Sequence, residues 1–279
     1  MPDQSSNINN AKRIAYFVSP HGFGHAARAA AVMQAISEID ASVEFENFTW
    51  DWIYEQYAAA DSRFRRHINY LQSLFEAADY HIKTEPACCR SPADLTTPPV
   101  SRKIRTPADR IRKGLAIPAT ARMVLITTGG INQCYGFVQA LKEISDVRFV
   151  LPGAGSKMET RQNCVILPRR SDFYHPDLVN ACDAVVGKVG YSTLAEVYQA
   201  GVPFGYVTRS NFRESEPMAD FIESSMPGLC LNEPDFNSGR WLARLQDLFD
   251  LNRLQQRITN GSDQIGRFIR DRILKVHGS

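Results

Sequence analysis

The chain has 279 residues, of which 44% are hydrophobic and 22% charged, and a formal net charge of +2. That length allows two α/β domains with sizeable cores, and the composition is that of an ordinary soluble globular protein. The charge surplus is too small to argue for a nucleic-acid partner, and no apolar run approaches the roughly 20 residues that span a bilayer, which leaves only peripheral membrane contact open.

The opening "MPDQSSNINNAK" is polar and lacks an apolar core, so it is expected to be a disordered lead-in and not a signal peptide. "RIAYFVS" (13–19) is a short β-rich run that ends in Pro and Gly, a strand followed by a turn. A helix is predicted from about Ala26 to Ser37, and "SVEFENF" reads as a second strand. "TWDWIYEQYAAADSRFRRHINYLQSLFEAADYHI" is mostly helical, with Trp50, Ile53, Tyr54 and Tyr57 on one face. The Pro- and Arg-rich stretch "TEPACCRSPADLTTPPVSRKIRTPADRIRKGLAIP" reads as an irregular interdomain connection. A new series opens at "ARMVLITTGGINQCYGFVQALKEI" as strand, Gly-Gly turn and helix, and "VRFVLPG" and "NCVILP" are further strands. "YHPDLVNACD" is a short helix, "AVVGKVGYSTLAEVYQAGVPFGYV" is strand, glycine turn, helix and strand, and a helix follows near "SEPMADFIES". "GRWLARLQDLFDLNRLQQRI" and "SDQIGRFIRDRILKV" read as terminal amphipathic helices. Strand–helix alternation in two blocks predicts two parallel-sheet α/β domains.

The six cysteines form no Cys-x-x-Cys pair, and no histidine sits at zinc-ligand spacing from them. They are expected to be free thiols in a reducing compartment, which places the chain in the cytoplasm.

Three strand–glycine–helix turns carry the candidate chemistry. A helix that starts there presents unpaired N–H groups and the positive end of its dipole, which suits a phosphate. In the first turn, Gly22-x-Gly24-x-x-Ala27 fits the dinucleotide fingerprint, with Glu44 or Glu46 about 20 residues on. The bland alternative is a β–α turn with two incidental histidines; the functional one has His25 donating to a phosphate or acting as a base. The second turn, Thr127-Thr128-Gly129-Gly130, is either generic or part of an anion site.

In the third, Gly187 and Gly190 bracket Lys188, and Ser192 and Thr193 are predicted to cap the helix. Glu196 one turn in is either an ordinary first-turn acid or a carboxylate that accepts both hydroxyls of a ribose, with Lys188 or backbone amides on the phosphates. No Walker loop is present. Glu214 and Glu216, after Arg213, are either helix-start charges or ligands for sugar hydroxyls. The basic run Arg102, Lys103, Arg105, Arg110, Arg112 and Lys113 is most simply a solvated linker face.

With these stretches in hand, the chain resembles the GT-B glycosyltransferases, in particular the group with the lipid II N-acetylglucosaminyltransferase and the glycosyltransferase-like N-terminal half of L-arabinokinase. "HGFGHAARA", "NFTWDWIYEQY", and "YHPDLVNACDAVVGKVGYSTLAEVYQAGVPFGYV" followed by "NFRESEP" carry the resemblance. It implies two Rossmann-like domains facing a cleft, here an acceptor domain at 1–103 and a nucleotide-sugar domain at 104–279. It implies a UDP- or dTDP-type nucleotide diphosphate-sugar as donor, a hydroxyl acceptor, inversion, and neither metal nor cofactor. Glu196 matches the ribose acid; Gly187, Lys188, Gly190, Ser192 and Thr193 match the diphosphate loop, with Thr128 and Gly129 beside it; Glu214 and Glu216 match the sugar-contacting region. Gly24 and His25 match the turn across the cleft, with His25 as the candidate base.

The first block is short for such a domain. A family order that breaks between "SVEFE" and "NFTWDWIY" predicts a segment missing near Glu46 and Asn47, because losing central parallel strands would expose a buried sheet. The same residues also admit a nucleotide-sugar-binding or regulatory module, a sugar epimerase of the same fold or, on the single fingerprint match, an NAD-dependent oxidoreductase.

Overall fold

A computed structural model of the chain describes residues 48–76, 80–88, 92–127, 136–254 and 259–274. The predicted first strand and its turn, with Gly24 and His25, and the junction at Glu46 and Asn47 lie outside these residues.

The first described elements are helices α1 (Trp50–Ala58) and α2 (Phe64–Glu76). Strands β1 (Ile82–Thr84) and β2 (Leu95–Thr97) then pair in parallel, and helix α3 (Ala108–Gly114) follows. The stretch expected to be an irregular connection therefore contains a strand and a helix. Its apolar residues Ile111, Leu115 and Ile117 are buried, which a bare linker would not achieve.

The larger unit starts with β3 (Arg122–Thr127), α4 (Val138–Leu141), β4 (Val147–Gly155), β5 (Glu159–Arg161) and β6 (Cys164–Pro168). It continues with α5 (His175–Ala181), β7 (Ala184–Lys188), α6 (Tyr191–Ala200), β8 (Phe204–Val207), α7 (Ser215–Ser225) and β9 (Gly228–Leu231). Helix α8 (Glu233–Ser238), a 3-10 turn (Arg240–Arg244), α9 (Leu245–Asp250) and α10 (Gly261–Phe268) close it. Where a long terminal helix is expected from Gly239, the described residues form a 3-10 turn (Arg240–Arg244) and a six-residue α-helix (Leu245–Asp250). Strand β9 and helix α8 lie in a segment for which no element is predicted; Asn232 caps α8 by accepting from the Asp235 N–H.

The seven strands run in the order β5-β6-β4-β3-β7-β8-β9, all parallel except the β5–β6 pair. Leaving out β5, the parallel strands follow the doubly wound order of a Rossmann-like sheet, with β3 and β7 at the point where winding reverses. Met123, Val124, Leu125 and Ile126 are all buried, as a sheet covered on both faces requires. Alternation then sorts them: Met123, Leu125 and Val185 face one core with Leu178, Leu194, Val197 and Ile222. Val124, Ile126 and Val186 face a second core with Phe137, Phe236, Trp241 and Leu248.

Contacts at both ends, among others, join the first block to this unit. Phe48 meets Tyr191 edge-on at 6.4 Å and stacks on Trp52 at 5.7 Å, so α1 starts against α6. At the far end, Asn260 Nδ2 donates to the Ser101 carbonyl at 2.7 Å, and α10 sits beside β2. A side chain at Gly261 would run into the Pro98 carbonyl.

Candidate functional site

At a reversal of winding, neighbouring crossovers leave on opposite faces and open a crevice at the carboxyl ends of the strands. Here those ends are Thr127 of β3 and Gly187 and Lys188 of β7, with Thr127 in register with Gly187. Glu196, on the second turn of α6, lies at this crevice and is only 4% exposed. Its Oε1 accepts from Arg102 Nη2 at 2.6 Å and Nε at 2.9 Å. Its Oε2 lies 2.6 Å from His175 Nδ1.

Burial alone would push the Glu196 carboxyl up; His175 and Arg102 outweigh it and hold the pKa below the ordinary value. An ionised carboxylate can only accept, so His175 carries its proton on Nδ1. Its Nε2 then faces Thr127 Oγ1 at 3.5 Å. A carboxylate, an oriented imidazole and a hydroxyl stand in line, an arrangement that fixes a histidine tautomer and gives its outer nitrogen a defined direction.

The cations have their own supports. Tyr174 precedes α5, and the guanidinium carbons of Arg102 and Arg105 lie 5.0 and 4.2 Å from its ring centroid. The Arg105 backbone N–H donates to the buried Asp177 at 2.7 Å, and Ser101 is held by Asn260. Arg102 is therefore built into the site and is not part of a solvated linker face, while Arg105 stays exposed on the outer side of Tyr174.

The predicted diphosphate loop is partly as expected. Gly187 does not need unusual dihedrals; a Cβ there would collide with the Thr127 carbonyl, so the glycine lets β3 and β7 come together. Gly190 is the N-cap of α6 in an extended conformation, and a Cβ on it would meet nothing within 4 Å. No side chain caps α6, which corrects the expectation that Ser192 and Thr193 do so. The helix begins at Tyr191, placing both hydroxyls inside the first turn and past the capping position. Ser192 Oγ is buried without a partner among the described residues, and Thr193 is buried. Lys188 Nζ pairs with Glu233 Oε1 at 3.0 Å.

Glu214 occupies the N-cap position of α7 in helical conformation, with no side-chain cap bond, and Glu216 is exposed in the first turn. Between them and α1, Arg213 lies over Trp52 at 4.1 Å and donates to the Trp52 carbonyl and to Glu55 Oε2, the latter at 2.7 Å. Thr128, Gly129, Gly24 and His25 lie outside the described residues. Those present bring together Gly187, Lys188, Gly190, Ser192, Thr193 and Glu196 at one turn and its helix. Sequence reasoning missed His175, Tyr174 and Arg102. The one available signal was His175-Pro176, a histidine at the mouth of a proline-started helix.

Solved structures with a similar arrangement of elements include glycosyltransferases and a putative UDP-N-acetylglucosamine 2-epimerase from Listeria monocytogenes, the latter at TM-score 0.51 and 13% identity over 95% of this chain and 75% of that one. The calicheamicin glycosyltransferase CalG4 superposes with a TM-score of 0.55 at 12% identity, over 89% of this chain and 73% of that one. The fold is GT-B-like. The spinosyn rhamnosyltransferase SpnG, solved with spinosyn aglycone, shares this GT-B-like fold at TM-score 0.55 and 12% identity, over 93% of this chain and all of that one. LpCGTa, solved with UDP, matches at TM-score 0.50 and 14% identity, over 91% and 69%. In sequence, the chain is 26% identical to L-arabinokinase of Arabidopsis thaliana over 240 residues, 85% of this chain but only 23% of that protein. The chain thus spans less than a quarter of that relative's length. No family model matches the chain. Among the described residues, no helix is long and apolar enough to cross a membrane.

Proposed function

We propose that the chain binds a nucleoside diphosphate-sugar at the carboxyl ends of β3 and β7 and transfers the sugar to a hydroxyl acceptor. The observation that carries this reading is Glu196, buried and ionised one turn inside a glycine-started helix at the crevice of a GT-B-like sheet. The first-turn N–H groups of α6 and the open space at Gly190 suit the diphosphate. Lys188 adds charge to the leaving group, and Glu214 and Glu216 bind the donor sugar's hydroxyls. A ribose diol donates to Glu196 in exchange for Arg102, whose guanidinium keeps its place over Tyr174. UDP is the first nucleotide to test, given the UDP complex of LpCGTa.

The reaction is read as a single in-line displacement. The acceptor oxygen bonds to the anomeric carbon, the bond to the diphosphate oxygen breaks, and the configuration inverts. The acceptor proton passes to a base, for which His25 is the candidate because histidine titrates near neutrality. Helix N-termini and cations meet the leaving charge, so neither metal nor cofactor enters the scheme. The block at 1–103 takes the acceptor, and 104–279 takes the donor.

Calorimetric titration with UDP, dTDP, ADP and NAD, followed by a donor-hydrolysis screen, tests the reading. UDP or dTDP binding with sugar release or transfer is expected. Binding of NAD alone overturns it. Binding of UDP without turnover favours a binding module, and a donor sugar returned with altered configuration favours an epimerase.

A further inference from the structure

Arg209 follows β8, and its surroundings point to a ligand. Its guanidinium carbon lies 3.6 Å from the Phe212 ring centroid. Its Nη2 donates to the Val189 carbonyl at 3.5 Å, and its backbone N–H donates to Ser215 Oγ at 3.3 Å. The Nε–H is buried and has no hydrogen-bond partner among the described residues. Burial pulls the pKa of Arg209 down, against Glu214 and Glu233, which raise it. A guanidinium has five donors and no acceptor, and leaving a charged donor buried and unmatched is costly.

The position of that unmatched donor is informative. Val189 is the residue before Gly190, so Arg209 reaches the β7–α6 turn from the β8 side. Ser192 Oγ, the other unmatched buried atom here, lies just past Gly190 in the first turn of α6. Gly190 itself borders open space. Lys188, by contrast, already has Glu233. Arg209, its guanidinium held against the Phe212 ring, and Ser192 thus each bring an unmatched polar atom to the same β7–α6 turn and helix start. A planar guanidinium offers paired N–H donors that fit phosphate oxygens, which an ammonium does not.

We propose that Arg209 is a binding residue for the diphosphate of the nucleotide donor, clamping it against the first turn of α6. This rests on the placement of the nucleotide proposed above, and it assigns the dominant cation to Arg209 instead of Lys188.

Calorimetry of the whole chain with UDP, uridine and inorganic pyrophosphate tests it, comparing wild type, Arg209→Ala and Arg209→Lys. Arg209→Ala is expected to weaken UDP and pyrophosphate about tenfold or more while leaving uridine unchanged, the size of one lost charge-assisted hydrogen bond. Arg209→Lys recovers part of the loss and, by keeping the charge, guards against a folding artefact in the alanine variant; thermal melts of both variants check this. UDP binding unchanged in Arg209→Ala, or an equal loss for uridine, overturns the assignment. A wild-type chain that binds pyrophosphate through Arg209 but no nucleotide would refute the nucleotide reading and keep the anion site. Binding of neither UDP nor pyrophosphate would refute both.

Discussion

Two carboxylates at the carboxyl edge of the sheet each meet a cation, at very different depths. The Glu196 side chain is 3% exposed and saturated by two partners, whereas that of Glu233 is 40% exposed and holds Lys188 alone. A buried charge depends on its partners, because water cannot replace them. An exposed pair contributes about 0–1 kcal/mol and opens readily. The Glu196 cluster therefore opens only to a ligand that brings its own donors, as a ribose diol does, whereas the Lys188–Glu233 pair opens to water as well.

The largest expected effect comes from breaking the deep cluster. Glu196→Gln leaves Arg102 without a counter-charge and the His175 Nδ1–H without its carboxylate, and urea unfolding should show a loss of about 3–5 kcal/mol. A loss no greater than that of Glu233→Gln would erase the contrast. Next is Gly187→Ala, which forces β3 and β7 apart at the Thr127 carbonyl; overpacking of this kind should destabilise by about 1–3 kcal/mol in the same assay.

The pKa of Glu196 is depressed in the folded chain, so its stabilising contribution is present above its ordinary value of 4.5 and is lost as pH falls through the lower folded value. Acid unfolding of wild type should therefore be steeper below about pH 4.5 than that of Glu196→Gln. Parallel curves would mean that the cluster does not hold the proton off. The smallest effect is reserved for Lys188→Ala, which should change stability by less than about 1 kcal/mol.

Much of the sheet was legible because strands between covered faces are short apolar runs and glycine turns mark where they end. The order around β3 and β7 follows from that alternation. Strand β9 was not legible: "GLCL" is too short to show a period, and it lies in a segment where Pro227 and Pro234 suggest only turns. The loop glycines and Glu196 were found because they lie within ten residues of one another. The partners of Glu196 were not, since Arg102 is 94 residues away and sits in a run that reads as solvated charge. Folding brings Arg102 out of that run to Glu196 by fixing the backbone on either side of it, Ser101 on Asn260 and Arg105 on Asp177, contacts that no local pattern announces.

The most direct measurement is a crystal structure of the chain with UDP bound. The diphosphate is expected against Gly190 and Ser192 in the first turn of α6, and the ribose hydroxyls on Glu196 with Arg102 displaced from it. UDP bound away from the carboxyl ends of β3 and β7, or at that crevice with the Arg102–Glu196–His175 cluster intact and the ribose elsewhere, would contradict it.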